Sequence, residues 1–192
     1  EDYIAEGLPK KATPEVVVRH VNDFYDNVAI PAIRLFSNSH NTIASAEHRL
    51  RLQQGLKFFN HAFQQKYPAP ANDSDIKVLC IGARWEVDIL SSAMLAHALR
   101  LRHVAAQSHA EAFIQSQVDM MAEIPPDIKI LCISIFHQQP LAQIRLLQHQ
   151  IGQQRPDLEL VFATWANDED EMRLEAKNRF DVEVVSSVNE LL

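Results

Sequence analysis

The stretch Ile76-Lys77-Val78-Leu79-Cys80-Ile81-Gly82-Ala83-Arg84-Trp85-Glu86-Val87-Asp88 constrains the fold more than any other part of the chain. A short apolar run, a glycine and then a helical period form the entrance to a βα unit. The pattern predicts a buried strand over 77–81 and a helix from about 86 to 101. The rhythm then repeats. Strands are predicted at 103–107, 128–134, 158–162 and 182–185, and helices at 110–121, 141–153, 167–178 and from 186 onward. Strands alternating with helices of this length predict a parallel sheet covered on both faces. With right-handed crossovers, the reading is α/β with a flavodoxin-like five-stranded order, 2-1-3-4-5. Ligands of such sheets sit at the carboxyl ends of the strands, where the strand order reverses. That places the switch point between strands 1 and 3, at the loops 82–88 and 134–140.

Upstream the pattern is helical. Residues 1–12 read as a leader or linker. Thr13-Pro14-Glu15 is a helix start: a capping residue, a proline at the first helical position, and an acid near the positive end of the dipole. Val17, Val21, Phe24 and Val28 then make one apolar face. Pro31 has no amide proton and is expected to kink or break this helix. Residues 37–41 read as a polar turn. A second helix is predicted over 42–67, with Ile43, Ala46, Leu50, Leu56, Phe59 and Phe63 on one side. The organisation read from the sequence is therefore a leader (1–12), a helical bundle (13–67), a linker (68–75) and a flavodoxin-like domain (76–192). The chain starts at Glu1 rather than Met, which reads as a domain excised from a larger parent.

Composition narrows the function. With 192 residues, 47% hydrophobic, the chain can bury a sizeable core. A net charge of −7 argues against a nucleic-acid surface, which needs clustered Lys and Arg. Cys80 and Cys132 both fall in apolar strand-like runs and read as buried free thiols in a reducing compartment. No apolar run approaches the ~18 residues of a membrane span. The four glycines are too scattered to cradle a dinucleotide or a P-loop phosphate. Strand 3 ends in Ser134-Ile135-Phe136, without the aspartate of a phospho-receiver. The nine histidines show no helical ligand spacing, so no metal site is expected. Neither a Gly-x-Ser-x-Gly elbow nor a nucleophilic cysteine pattern is present. Glu86 and Asp88 read as an acid–base pair or as favourable charges on the first helical turn. Trp85 and Trp165 belong to loops at one end of the sheet and point to an interface or an apolar ligand site.

A helical bundle followed by such a sheet resembles the cobalamin-binding module of methionine-synthase type, which regulators of the MerR type also use. Pro31-Ala32-Ile33-Arg34 resembles the proline-containing helix of that bundle. Glu47-His48 takes the place of its Glu-His pair, with Ile43 at the apolar position before it, but Ser37 stands where the family has Trp. Glu86 stands where the family's loop carries its cobalt-ligating His, and a carboxylate is a poor substitute for imidazole on cobalt. Ser134-Ile135-Phe136 half keeps the family's Ser-x-Leu. Ala163-Thr164 replaces the Gly-Gly against which the nucleotide tail lies. The resemblance implies the scaffold with a degenerate cofactor site. The segment from Phe24 to Leu35 and the strand 1 loop are also similar to the soluble tail of permeases of the autoinducer-2 exporter family.

The resulting expectation is a non-catalytic regulatory or sensor domain of a larger protein, the cytosolic domain of a membrane permease, that does not bind cobalamin. The alternative is a domain of a transcription regulator that binds cobalamin or another small-molecule effector. An enzyme ranks third, because no convergent set of titratable groups is evident. The cleft between bundle and sheet is expected to be lined by Glu47, His48, Arg84, Trp85, Glu86, Ser134, Phe136, Thr164 and Trp165. Its indoles would make apolar contact, Arg84 would take an anion, and His48 would respond to pH. The bundle is expected to dock over the carboxyl end of the sheet, near both tryptophans, with 68–75 as hinge. No catalytic residue, cofactor or metal ligand is expected. The expected partner is the rest of the parent chain, with an unidentified small molecule and a homo-oligomer left open and nucleic acid excluded. The expected location is the cytoplasm, with a tether to the inner membrane through a segment outside this sequence left open.

Overall fold

The computed structural model describes residues 12–38, 46–71, 76–113, 121–122, 124–165 and 170–191. Helix α1 (Pro14–Phe24) starts where expected: Thr13 is extended, Pro14 opens the helix, and the Val17 amide reaches the Thr13 carbonyl at 3.1 Å. Its apolar face is also as expected. Val21 and Phe24 are buried, and Val17 and Val28 pack against the same cluster.

Pro31 does not break the chain. Residues Tyr25–Ala29 form a π-helical turn that leads directly into α2 (Ile30–Asn38). The Ile30 amide bonds to the Tyr25 carbonyl, five residues back. An α-helical turn would press the proline ring onto the Asn27 carbonyl; the wider turn just before it makes room. Helix α3 (Ala46–Lys66) follows, and residues 39–45, including Ile43, lie outside the described part. Leu56, Phe59 and Phe63 face the core, but Leu50 is 54% exposed. At about 100° per residue, Leu50 falls more than a third of a turn away from that stripe.

Five strands form one parallel sheet in the order β2-β1-β3-β4-β5. They are β1 (Val78–Gly82), β2 (Ala106–Ala112), β3 (Ile130–Ile135), β4 (Glu159–Thr164) and β5 (Glu183–Val185). The connecting helices are α4 (Glu86–Leu101), α5 (Leu141–Gln154) and α6 (Asp170–Phe180). Alternate residues of β1 feed opposite faces, as the two-residue period of a strand requires. Val78 and Cys80 join one apolar cluster, and Leu79 and Ile81 join the other.

Two sequence expectations fail at the ends of elements. Strand 2 begins at Ala106, later than the expected 103, and residues 110–112 are strand rather than helix. Helix α4 closes with the Val104 amide on the Leu99 carbonyl and the His103 amide on the Arg100 carbonyl, with His103 in the left-handed region at φ 62°. This two-bond ending uses up residues 102–105 before pairing can start. Most of the remaining expected helix, 114–120, lies outside the described residues, as does Asn167. Residues 186–191 form bends and turns, not a last helix. Side chains satisfy their amides instead: Glu190 accepts from Ser186, and Asp26 accepts from Val188 and Asn189.

The N-terminal helices pack on the same face as α4, and residues of α1, α2, α3, α4, β4 and β5 share one apolar cluster. Helices α1 and α2 cover this part of the sheet beside β5. Helix α3 runs parallel to α4, with its contacts advancing in step. Lys57 pairs with Glu86, Gln64 donates to the Ala93 carbonyl, and the Tyr67 carbonyl accepts from His97. Upstream of Lys57, α3 overhangs the start of α4 by about 15 Å at the carboxyl end of the sheet. Among the described residues no helix is long and apolar enough to cross a membrane.

Candidate functional site

The switch point is built around Gly82. A Cβ there would stand 2.5 Å from the Ile89 nitrogen and 2.7 Å from the Asp88 carbonyl carbon. The glycine therefore lets the first turn of α4 rest directly on the end of β1. That contact brings Asp88 under the loop. Its Oδ2 accepts from the amides of Arg84 (2.9 Å) and Trp85 (2.7 Å), and its Oδ1 accepts from the Phe136 amide beyond β3 (2.8 Å). Asp88 is 1% exposed. Burial lifts its carboxyl to about 6, against the pull of those three amides and of the nearby His137.

Beside it runs a buried chain of hydrogen bonds whose direction is fixed. The Trp165 indole can only donate, and it donates to the Ser134 hydroxyl at 2.7 Å. Ser91 donates to the Asp88 carbonyl at 3.0 Å, so Ser134 must donate to Ser91, at 2.8 Å. Trp165 is fully buried, with the Phe136 ring 6.2 Å from its own. Thr164 is buried too, and its hydroxyl has no hydrogen-bond partner among the described residues.

The second tryptophan does the opposite. Trp85 is 48% exposed, with the Arg84 guanidinium 4.5 Å over its ring. Its neighbour Glu86 meets Lys57 of α3 at 2.5 Å. Phe58, next along α3, is 75% exposed.

The sequence-derived site thus divides. Ser134, Phe136 and Trp165 come together inside, and Arg84, Trp85 and Glu86 come together outside. Of the two indoles expected near the junction, Trp165 is buried and Trp85 is half exposed. Glu47 pairs with Arg51 on the exposed overhang of α3, at 2.6 Å and far from the switch point. The side chain of His48 lies outside the described part. Sequence reasoning missed Ser91 and Lys57. The adjacent serines 91 and 92, set among the apolar residues Ile89, Leu90, Ala93, Met94 and Leu95, were the available signal for the first.

A groove of about 440 Å³ opens at the opposite, amino end of β4 and β5, lined in part by Arg155, Lys177, Asp181 and Glu183. Its charges are largely paired, Arg155 with Asp157 at 2.9 Å and Lys177 with Glu183 at 3.6 Å. It contains none of the expected site residues. Among the described residues no three His, Cys, Asp or Glu side chains cluster as metal ligands would.

A polar seam joins the N-terminal helices to α4. His97 accepts from the Tyr25 hydroxyl at Nδ1 (2.7 Å) and donates from Nε2 to the Tyr67 carbonyl (2.8 Å). A carbonyl can only accept, so these partners fix one neutral tautomer. Burial lowers the His97 pKa in the same sense.

No protein-family model matches the chain, and no curated protein matches it.

Proposed function

We propose that the chain is a non-catalytic regulatory domain of a larger protein, with a filled ligand crevice and an outward docking surface at Arg84 and Trp85. The opposite burial of the two tryptophans carries this reading. Trp165, Phe136, Ser134 and Asp88 occupy the switch point with the chain's own side chains, bonded to one another. The residues present do not fit a corrin. Glu86 offers a carboxylate already held by Lys57, and Thr164 and Trp165 are packed where a nucleotide tail would run. Trp85, by contrast, is presented on a loop whose amides Asp88 pins. Trp and Arg are among the residues enriched at interface hot spots. The exposed Phe58 and the overhang of α3 extend the apolar part of that surface. The intended occupant is another part of the parent protein, in the first instance a permease.

The test has two arms. Protein mixed with hydroxocobalamin or adenosylcobalamin and then desalted should show no corrin absorption; stoichiometric retention would overturn the reading. In the parent protein, replacing Arg84 and Trp85 by Ala should impair regulation while the domain keeps its circular dichroism and melting midpoint. Unchanged regulation would remove the docking surface, and turnover abolished by either change would replace it with an active site.

A further inference from the structure

Cys80 and Cys132 were read as two separate buried thiols, and both are free and fully buried. The sheet sets them side by side. They are direct partners in the register of β1 and β3, and both face the cluster that contains α4. Parallel neighbours in register stand ~4.8 Å apart, inside the Cα separation that a disulfide tolerates. The neighbouring Cys132 thiol and burial together push the Cys80 thiol well above its ordinary value.

We propose that Cys80 and Cys132 form a redox site, a dithiol that low-molecular-weight disulfides convert to a cross-strand disulfide between β1 and β3. One cysteine, as thiolate, attacks a sulfur of the small disulfide and expels one small thiolate. The other protein sulfur then attacks the mixed disulfide, loses its proton and expels the second. The protein loses two electrons and two protons, and the small disulfide gains them as two thiols. A high thiol pKa and full burial make the reduced pair slow to react, so closure follows brief openings of the β1–β3 seam. The two sulfurs must also be drawn together from a sheet spacing near the edge of the preferred Cβ range. Such a bond is strained and easily reduced, which suits a reversible site rather than a structural staple.

The position gives the bond a consequence. Cys80 lies two residues before Gly82, and Cys132 two residues before Ser134. Drawing these strands together shifts the base of both switch-point loops and the Trp165–Ser134 contact with them. Oxidation therefore has an optical signature in the tryptophan fluorescence.

The experiment uses the reduced full chain incubated with glutathione disulfide or diamide, then acid-quenched, denatured and alkylated. The expected result is loss of both alkylatable thiols in a monomer lighter by two hydrogens. Tryptophan emission should shift in parallel, and dithiothreitol should reverse both changes. Cys80→Ser and Cys132→Ser should each show no such closure and no emission shift. Two thiols still alkylated after an exposure that fully oxidises the same chain in denaturant would overturn the proposal. Stable glutathione adducts on the wild type, or disulfide-linked dimers, would overturn it equally.

Discussion

The carboxylate of Asp88 and the backbone amide of Phe136 are joined by a 2.8 Å hydrogen bond across 48 positions of sequence. This bond ties the loop after β1 to the loop after β3, and Asp88 spends its other oxygen on its own loop. Asp88→Ala should leave three amides without their acceptor. A loss of about 2–4 kcal/mol in chemical denaturation is expected, the sum of a lost cap and newly unsatisfied buried groups.

The same carboxyl gives a pH signature. Its folded pKa, about 6, lies above the ordinary carboxyl value of 3.8. The folded state thus holds its proton more tightly than the unfolded state. The contribution is fully present below about pH 4 and is lost as pH rises through 6, a change on the order of 2–3 kcal/mol. Asp88→Asn removes the titration. The stability of the wild type relative to this variant should fall between pH 4 and 6, as read from denaturant midpoints; a constant difference would contradict the assignment.

Gly82→Ala tests the seat of α4 on β1. The added carbon meets backbone, which cannot swing aside as a side chain could. A cost of about 1–3 kcal/mol is expected, the usual range of overpacking. Gly152→Ala is the control, because nothing lies within 4 Å of its built carbon.

The two tryptophans should separate cleanly by solvent access. Acrylamide should quench one emitting population, which disappears in Trp85→Phe, and leave a shielded one, which disappears in Trp165→Phe. Trp165→Ala should cost about 3–5 kcal/mol, the usual range for a buried aromatic. Trp85→Ala should cost under about 1 kcal/mol, as surface changes usually do.

Asp26→Ala should loosen the turn after β5 without unfolding the sheet. Its carboxylate accepts from the Val188 amide at 2.6 Å and the Asn189 amide at 3.2 Å. Hydrogen exchange at these two amides should accelerate in the variant, while exchange in β1 and β3 stays slow. Unchanged protection at Val188 would contradict the latch.

The parallel sheet was legible because its inner strands are continuous apolar runs, and α4 was legible to the residue. Polar β2, with Gln107, Ser108, His109 and Glu111, carries no such signal, and His103 ends α4 where a glycine would have been the visible cue. At Pro31 a kink or break was expected, but the form the departure takes, a single π turn, leaves no mark in sequence. At the switch point, sequence named residues that meet there but could not orient them. Trp85 and Trp165 look alike as sequence, and only the packing of β4 against β3 decides which of them is swallowed. Asp88 was noticed for its charge, whereas its role depends on an amide 48 positions away.

The seam between Asp26 and Val188 spans 162 positions, nearly the whole described chain. Helices α1 and α2 leave the ribosome before the strands they pack on and before the turn that latches them. During synthesis Val21, Phe24, Tyr25 and Ile33 therefore wait uncovered while the entire sheet is made. A closure of such long range is slow, and waiting apolar surface invites association with other chains or with chaperones. These helices are made before the sheet and finished after it.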